Sequence, residues 1–226
     1  MQTSADIIII GGGAAGLMAA AGAGNILGKT GRVIVLEKMG RPGRKIMITG
    51  KGRCNFTNVK PWNEFSGHIY PKPNFLKPSF YNLNPEKMIE FLEDNGMEAV
   101  VERGDRAFPT SHLASDVVDA LLRAAQHNGA EVLCNKEVTS IVHEEETYSV
   151  KCSDGSAYTA CKLIIATGGL SYPKTGSTGD GYEWAKALGH TVKSLFPSLT
   201  AIVPKGYKTT TQEKGHIDRS TPLSEI

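Results

Sequence analysis

A chain of 226 residues with 40% hydrophobic composition can bury one sizeable core and part of a second. Its 25 basic and 23 acidic residues are intermingled and leave a net charge of +2, so no basic face argues for nucleic acid and no charge block for a disordered tail. Four cysteines, Cys54, Cys134, Cys152 and Cys161, show neither a C-x-x-C pair nor zinc-type spacing. That usage points to reduced thiols in a cytoplasmic protein and away from a dithiol relay.

From Ile7 to Gly28 no residue is charged, a run long enough to imitate a membrane span. Its interior does not fit one: four isoleucines are broken at once by Gly11-Gly12-Gly13, and Asp6 stands where a signal peptide would carry a basic start. Ala5–Ile10 reads instead as a strand with both faces buried, as in a parallel sheet covered by helices. Ala14 to about Leu27 is the helix that follows, and Gly22 and Gly24 inside it are expected to let a neighbour approach closely. Arg32–Glu37 is a second buried strand, completing a β-α-β unit.

Residues 41–58 are too rich in Gly, Arg and Lys for core and too ordered in composition for a linker, and 62–83 are Pro-rich and read as irregular. Asn84-Pro85 is a helix start with its cap, Met88, Ile89 and Leu92 make the buried stripe, and Gly96 ends it. A second helix is predicted from about Ser111 to His127, with Leu113, Val117, Leu121 and Ala125 on its buried face. Strands follow at Glu131–Cys134, Glu137–His143, Tyr148–Cys152 and Ala157–Cys161, the last two joined across Asp154-Gly155. Lys162–Thr167 reads as a further buried strand ending in Gly168-Gly169, and Gly179–Leu188 as a short helix.

Gly11-Gly12-Gly13-Ala14-Ala15-Gly16 matches G-x-G-x-x-G. The match gains weight from its setting, because it follows a strand, opens a helix, and is answered by Glu37 about 20 positions on, at the end of the next strand. Gly11 permits the tight turn, Gly13 the approach of a pyrophosphate to the backbone, and Gly16 the packing of helix on strand. The amides of Ala14 and Ala15 lie in the first turn, where unpaired N–H groups favour phosphate. Glu37 can accept bonds from ribose hydroxyls, and its charge would repel a 2′-phosphate. Dinucleotide binding follows.

FAD and NAD share the adenosine and pyrophosphate, so the turn does not separate them. The predicted topology does: an antiparallel meander stands where a dehydrogenase would continue with a crossover helix. That meander, with the strand end Ala166-Thr167-Gly168-Gly169, matches the FAD domains of glutathione-reductase-like flavoproteins and disfavours a pure NAD-binding domain. More specific still are Glu37-Lys38, Pro42-Gly43-Arg44-Lys45 and Thr49-Gly50-Lys51-Gly52-Arg53-Cys54-Asn55-Phe56-Thr57-Asn58. Arg106-Ala107-Phe108-Pro109, and the long run from Ala166 through Leu170-Ser171-Tyr172-Pro173 to Gly181, add to them. Over about residues 5–203 the chain resembles the bacterial flavoprotein family that includes aminoacetone oxidases and bile-acid-reducing flavoenzymes.

The resemblance implies an α/β Rossmann-type FAD domain over residues 1–200, with an irregular insertion at about 56–110 and a β-meander. Residues 201–226 are then the start of a cut-off substrate domain or a tail, since family members are about twice as long. It places Arg44, Lys45, Arg53, Cys54 and Asn55 along the FAD and the backbone of Val138 against its adenine. Cys54 is expected to pack by the cofactor rather than react. Thr178 to Gly181 have two open roles, capping the last helix or facing the cofactor, and Arg106 and Tyr172 are candidates for meeting substrate. The implied activity is FAD-dependent hydride transfer involving a small organic substrate or NAD(P)H, with no metal, no nucleic acid and no membrane. The alternative is a non-catalytic FAD-binding module that needs a second segment for chemistry.

Overall fold

The computed structural model describes residues 2–197, 208–211 and 218–222. The chain divides into two units, Met1–Thr191 and Val192–Ile226. Within the second, β10 (Lys208–Thr211) and β11 (Asp218–Pro222) form an antiparallel hairpin with a register shift between Thr209 and Thr211.

The first unit begins with the predicted β-α-β motif: β1 (Gln2–Ile10), α1 (Ala14–Leu27) and β2 (Val33–Leu36). Then come α2 (Arg44–Met47), β3 (Thr57–Asn58), α3 (Trp62–Phe65), α4 (Lys77–Asn82) and α5 (Pro85–Asp94). They are followed by β4 (Ala99–Glu102), β5 (Arg106–Pro109), α6 (Ala114–His127), β6 (Ala130–Leu133) and β7 (Val138–Glu144). The unit closes with β8 (Thr147–Cys152), β9 (Ala157–Ile165) and α7 (Asp180–Ala187). Six strands form one sheet in the order β6-β2-β1-β9-β8-β7, parallel from β6 to β9 and antiparallel from β9 to β7.

The period-2 alternation of strand side chains splits the isoleucine run between two cores. Ile9, Val33 and Val35 face a cluster with Leu17 and Ala20 of α1 and Val117, Val118 and Leu121 of α6. Ile8, Ile10, Ile34 and Leu36 face the opposite way, onto Val138, Val150, Tyr158 and Ala160. Helices therefore cover one side of the parallel sheet, and the meander covers the other. Both faces of β2 are buried, which explains why it carries no polar residue.

Several expectations need correction. The predicted strands Ala157–Cys161 and Lys162–Thr167 merge into one that ends at Ile165, because β1 pairs along the whole of β9 and the charge at Lys162 sits on an exposed position. Leu113 precedes α6 as its N-cap and is 56% exposed, so the buried face starts at Ala114. Residues 62–83 contain short helices, in which Trp62, Phe65, Phe80 and Tyr81 cluster ring against ring. Between residues 56 and 110, β3, β5 and β4 form a small antiparallel sheet in that order. Gly24 does admit a close neighbour, since a Cβ there would lie 2.1 Å from the Asn128 carbonyl oxygen, whereas Gly22 has nothing within 4 Å. The predicted Asn84 cap is present, its side chain accepting a 2.9 Å bond from the Lys87 amide. Among the described residues no helix is long and apolar enough to cross a membrane.

Candidate functional site

The C-terminal ends of β1 and β9 lie side by side and open into a cleft of about 610 Å³. Its floor is the glycine turn. Gly11 has φ +106°, and a Cβ there would sit 2.6 Å from the Ala166 carbonyl oxygen, so no other residue fits between the two strand ends. A Cβ on Gly16 would lie 1.8 Å from the Gly11 carbonyl oxygen; its absence lets α1 start directly on the turn. Gly13 is the N-cap of α1 with an ordinary φ of −80°, and a Cβ there would meet nothing within 4 Å. No side chain caps α1 and no acid stands in its first turn. The amides of the turn and the positive end of the helix are thus offered to the cleft, which Gly13, Ala14 and Ala15 line.

Glu37 is 9% exposed. One of its carboxylate oxygens accepts from the Gly12 amide at 2.7 Å and the other from the Met39 amide at 2.8 Å. Those bonds fix the carboxylate at the rim, and each oxygen keeps lone-pair capacity for a hydroxyl. Next along the chain, the Gly43 amide donates to the Gly12 carbonyl at 2.9 Å. With φ +69°, and a would-be Cβ 2.6 Å from Val118, Gly43 brings α2 against α6 and sets Arg44 and Lys45 on the cleft wall. Neither cation has a carboxylate partner among the described residues. Lys45 Nζ donates to Ser171 Oγ at 3.3 Å, and burial pulls its pKa below the ordinary lysine value. Lys38 differs: its Nζ donates to Thr178 Oγ1 at 2.6 Å and to Asp180 Oδ2 at 2.9 Å. Burial alone would raise the Asp180 pKa, but the bonds from Lys38 and Thr178 hold it below the usual carboxylate value.

The opposite wall comes from Ala166, Thr167 and Gly168, with Ser177, 7% exposed, behind them. The Ser177 hydroxyl has no hydrogen-bond partner among the described residues, and a Cβ on Gly168 would lie 2.9 Å from it. Beyond Glu37 the cleft is closed by Lys136, Val138 and Trp184. The Lys136 ammonium is bound to Asp154, and that bond raises its pKa.

Of the residues singled out in the sequence, Gly11, Gly13, Ala14, Ala15, Glu37, Lys38, Arg44, Lys45, Val138, Ala166, Thr167 and Gly168 line this one cleft. Gly16 supports it from behind, and Gly169, whose would-be Cβ lies 3.1 Å from Tyr182 Oη, is not on its wall. Arg53, Cys54 and Asn55 do not line it either. Arg53 pairs with Glu102, contacts His112 Nδ1 at 2.9 Å and stacks over Phe108 at 4.3 Å. Cys54 is buried, which raises its thiol pKa, and in its satisfied orientation the Asn55 amide donates to the Thr57 and Ala107 carbonyls. These three residues brace the loop against the small sheet. Ser177, Lys136 and Trp184 escaped the sequence reading, because only the folded chain brings them beside the turn. Asp180 lines the cleft from the first turn of α7, while the N-cap is Gly179 and no side chain caps the helix, so the capping role left open for the 178–181 segment is not seen.

The cleft fits an adenine dinucleotide: a cradle of missing Cβ atoms and unpaired amides for the pyrophosphate, an anchored acid for the ribose, and two free cations. With the meander in place of a crossover helix, fold and cleft define a Rossmann-type FAD domain of a flavoprotein. The chain belongs to the HI0933-like protein Rossmann domain family, whose signature matches residues 5–217. It is 32% identical over 200 residues to the ribosomal RNA dihydrouridine synthase of Escherichia coli (strain K12), covering 88% of this chain and 47% of that protein. To the 3-dehydro-bile acid delta(4,6)-reductase of Clostridium scindens it is 29% identical over 197 residues, covering 87% of this chain and 47% of that one. Among solved structures, the 3-ketosteroid-delta4-(5alpha)-dehydrogenase of Rhodococcus jostii superposes with a TM-score of 0.56 at 16% identity, over 75% of this chain and 47% of that one. The chain thus spans about half the length of the curated relatives it matches.

Proposed function

We propose that this chain is the FAD-holding part of a reductase that saturates a ring carbon–carbon double bond polarised by a carbonyl group. The observation that carries the reading is the cleft itself, where free amides, an anchored Glu37 and unpaired Arg44 and Lys45 converge. In this reading the turn at Gly11, Gly13, Ala14 and Ala15 binds the pyrophosphate, with Gly16 holding the helix in place. Glu37 takes the ribose, Arg44 and Lys45 offset the dianion, and Ala166–Gly168 give backbone access beside the flavin half. FAD, when bound and reduced, supplies hydride, and NAD(P)H is the reductant we assign.

The reaction class draws on the names of the two relatives, both of which describe saturation of a ring double bond. With a net charge of +2, a small cyclic enone in a cytoplasmic setting is our first substrate class. The second is a pyrimidine ring within RNA, favoured by the greater identity to the ribosomal-RNA-named relative. Adding FAD to the purified chain, desalting, and recording the visible spectrum tests the cofactor; a colourless protein would overturn the proposal. Reduction of the retained flavin by NADH or NADPH without oxygen, followed by reoxidation with either a cyclic enone or a uridine-containing RNA, separates the two substrate classes.

A further inference from the structure

The chain as a whole is balanced in charge, but one stretch is not. From Phe65 to Pro85 it carries no acid, while Lys72 and Lys77 have no carboxylate partner among the described residues. Glu64, just before it, is already bound by Lys60 at 2.9 Å. The same stretch is aromatic: six of the 20 residues from Trp62 to Tyr81 are, against 7% of the whole chain. Trp62, Phe65, Phe80 and Tyr81 touch ring to ring, yet no residue from Pro61 to Asn84 is buried. Tyr70 is 95% exposed and Phe75 83%, and rings left in water at this density mark a binding face. Cations are interleaved with them. Lys77 stands four residues before Tyr81 on α4 and shares its helix face. Lys87 Nζ donates to the Tyr81 and Asn82 carbonyls at 3.4 and 3.1 Å, which holds it beside that ring.

A second copy docked here about a twofold axis would set Lys72 and Lys77 against their own equivalents, and lysines are depleted at the centre of protein interfaces. Open rings with unpaired cations between them match a single strand whose bases stack while its phosphates meet the ammonium groups. We infer that the 62–87 segment is a docking surface for single-stranded RNA. None of its residues lines the cleft, so it would hold the strand apart from the cofactor. The inference rests on the RNA substrate class proposed above.

The probe is a labelled, uridine-rich single strand of about 12 nucleotides, titrated with the chain and followed by fluorescence anisotropy. Tyr70→Ser/Phe75→Ser should weaken binding by about tenfold or more and leave flavin retention unchanged, because both side chains are exposed. Lys72→Ala/Lys77→Ala should reduce the slope of log affinity against log salt by about 1.4. The same strand annealed to its complement should bind the wild type more weakly, since its bases are no longer open for stacking. Affinity that neither double variant changes, or equal binding of strand and duplex, would overturn the inference. So would a wild type that ignores RNA but binds phosphatidylglycerol vesicles through Tyr70 and Phe75, or dimerises through them. If uridine-containing RNA reoxidises the reduced flavin equally well in wild type and Tyr70→Ser/Phe75→Ser, the substrate class stands and the docking surface falls. If the double variants weaken RNA binding while no RNA reoxidises the flavin, the docking surface stands and the substrate class falls.

Discussion

Gly13→Ala separates ligand binding from folding more cleanly than any other change in the glycine turn. At φ −80° alanine is unstrained, and its methyl group would meet no protein atom within 4 Å. Less freedom in the unfolded chain favours the variant by about 0.4–1 kcal/mol, and a poorer N-cap disfavours it by about as much. Thermal stability should therefore change by under about 1 kcal/mol, a Tm shift of about 2–4 °C at most for a chain of this size. The methyl group would occupy the space through which a pyrophosphate reaches the helix amides. Losing one charge-assisted bond costs about 1.5–3 kcal/mol, so FAD affinity should fall by about ten- to hundredfold. Gly16→Ala is the contrasting variant: its Cβ would lie 1.8 Å from the Gly11 carbonyl oxygen, and α1 must shift to admit it. It should lose about 1–3 kcal/mol of stability by overpacking and lose FAD with it. Differential scanning fluorimetry read beside flavin retention after desalting distinguishes the two. A Gly13→Ala chain that holds FAD as tightly as wild type would refute the placement of the pyrophosphate over this turn.

The two glycines inside α1 should part company. Gly22→Ala stabilises by about 0.5–1 kcal/mol through helix propensity, because its Cβ meets nothing, while Gly24→Ala destabilises by about 1–3 kcal/mol against the Asn128 carbonyl; chemical denaturation of both variants checks this. Glu37→Gln places an amide where two backbone donors require acceptors, so stability should drop by about 1–3 kcal/mol and calorimetry should show weaker ADP binding. Asp180 has a pKa lowered in the folded chain by Lys38 and Thr178 against the effect of burial. Its contribution is fully present above the ordinary carboxylate pKa and is lost as pH falls through the depressed folded value. Asp180→Asn should lower Tm at neutral and alkaline pH, where that contribution is present, and converge with wild type in acid, so that the acid limb of a Tm-against-pH profile flattens.

Features with local causes were legible before the structure. The isoleucine run, the glycine turn, the Asn84-Pro85 cap and the Asp154-Gly155 hairpin each follow from a few neighbouring residues. Contacts made far along the chain were not. The small sheet joins a local pair, β4 and β5, to β3 some 50 positions back, in strands of two to four residues that are too short for any periodicity to show. The run of residues 157–165 reads as two strands, yet it is one, and Lys162 takes an exposed position on it. At the site, Gly11 to Gly16 and Glu37 could be read from spacing alone, since one β-α-β unit dictates their geometry. Lys136 and Trp184 reach the cleft through the meander and α7, and their sequence surroundings carry no signal of it; Ser177 lies within the motif that ends at Gly181, but nothing local marks it from its neighbours. Arg53 and Asn55, which have the composition of a ligand loop, are engaged by Glu102 and Phe108 and by Thr57 and Ala107 respectively, while Cys54 is buried beside them.

The strand order explains why the cleft lies where it does. From β1 the chain moves outward to β2 and β6 on one side, then returns through the meander to β9 on the other. The loops leaving β1 and β9 therefore diverge, and a crevice opens between them at the switch point. Both strand ends meet it with backbone: Gly11 and Gly168 have positive φ, and the Ala166 amide donates to the Ile10 carbonyl at 2.8 Å. Only glycines allow the two ends to sit this close with room above them for a ligand. Recognition is accordingly built into main-chain geometry first, with Arg44 and Lys45 adding charge from a mobile side-chain length. Truncating either cation should weaken a dinucleotide modestly, by the worth of a partly exposed ion pair. Filling the space over Gly13 removes a charge-assisted main-chain contact that no side chain replaces. The ranking of those losses, backbone before side chain, is the consequence of placing a ligand at a switch point between two strand ends.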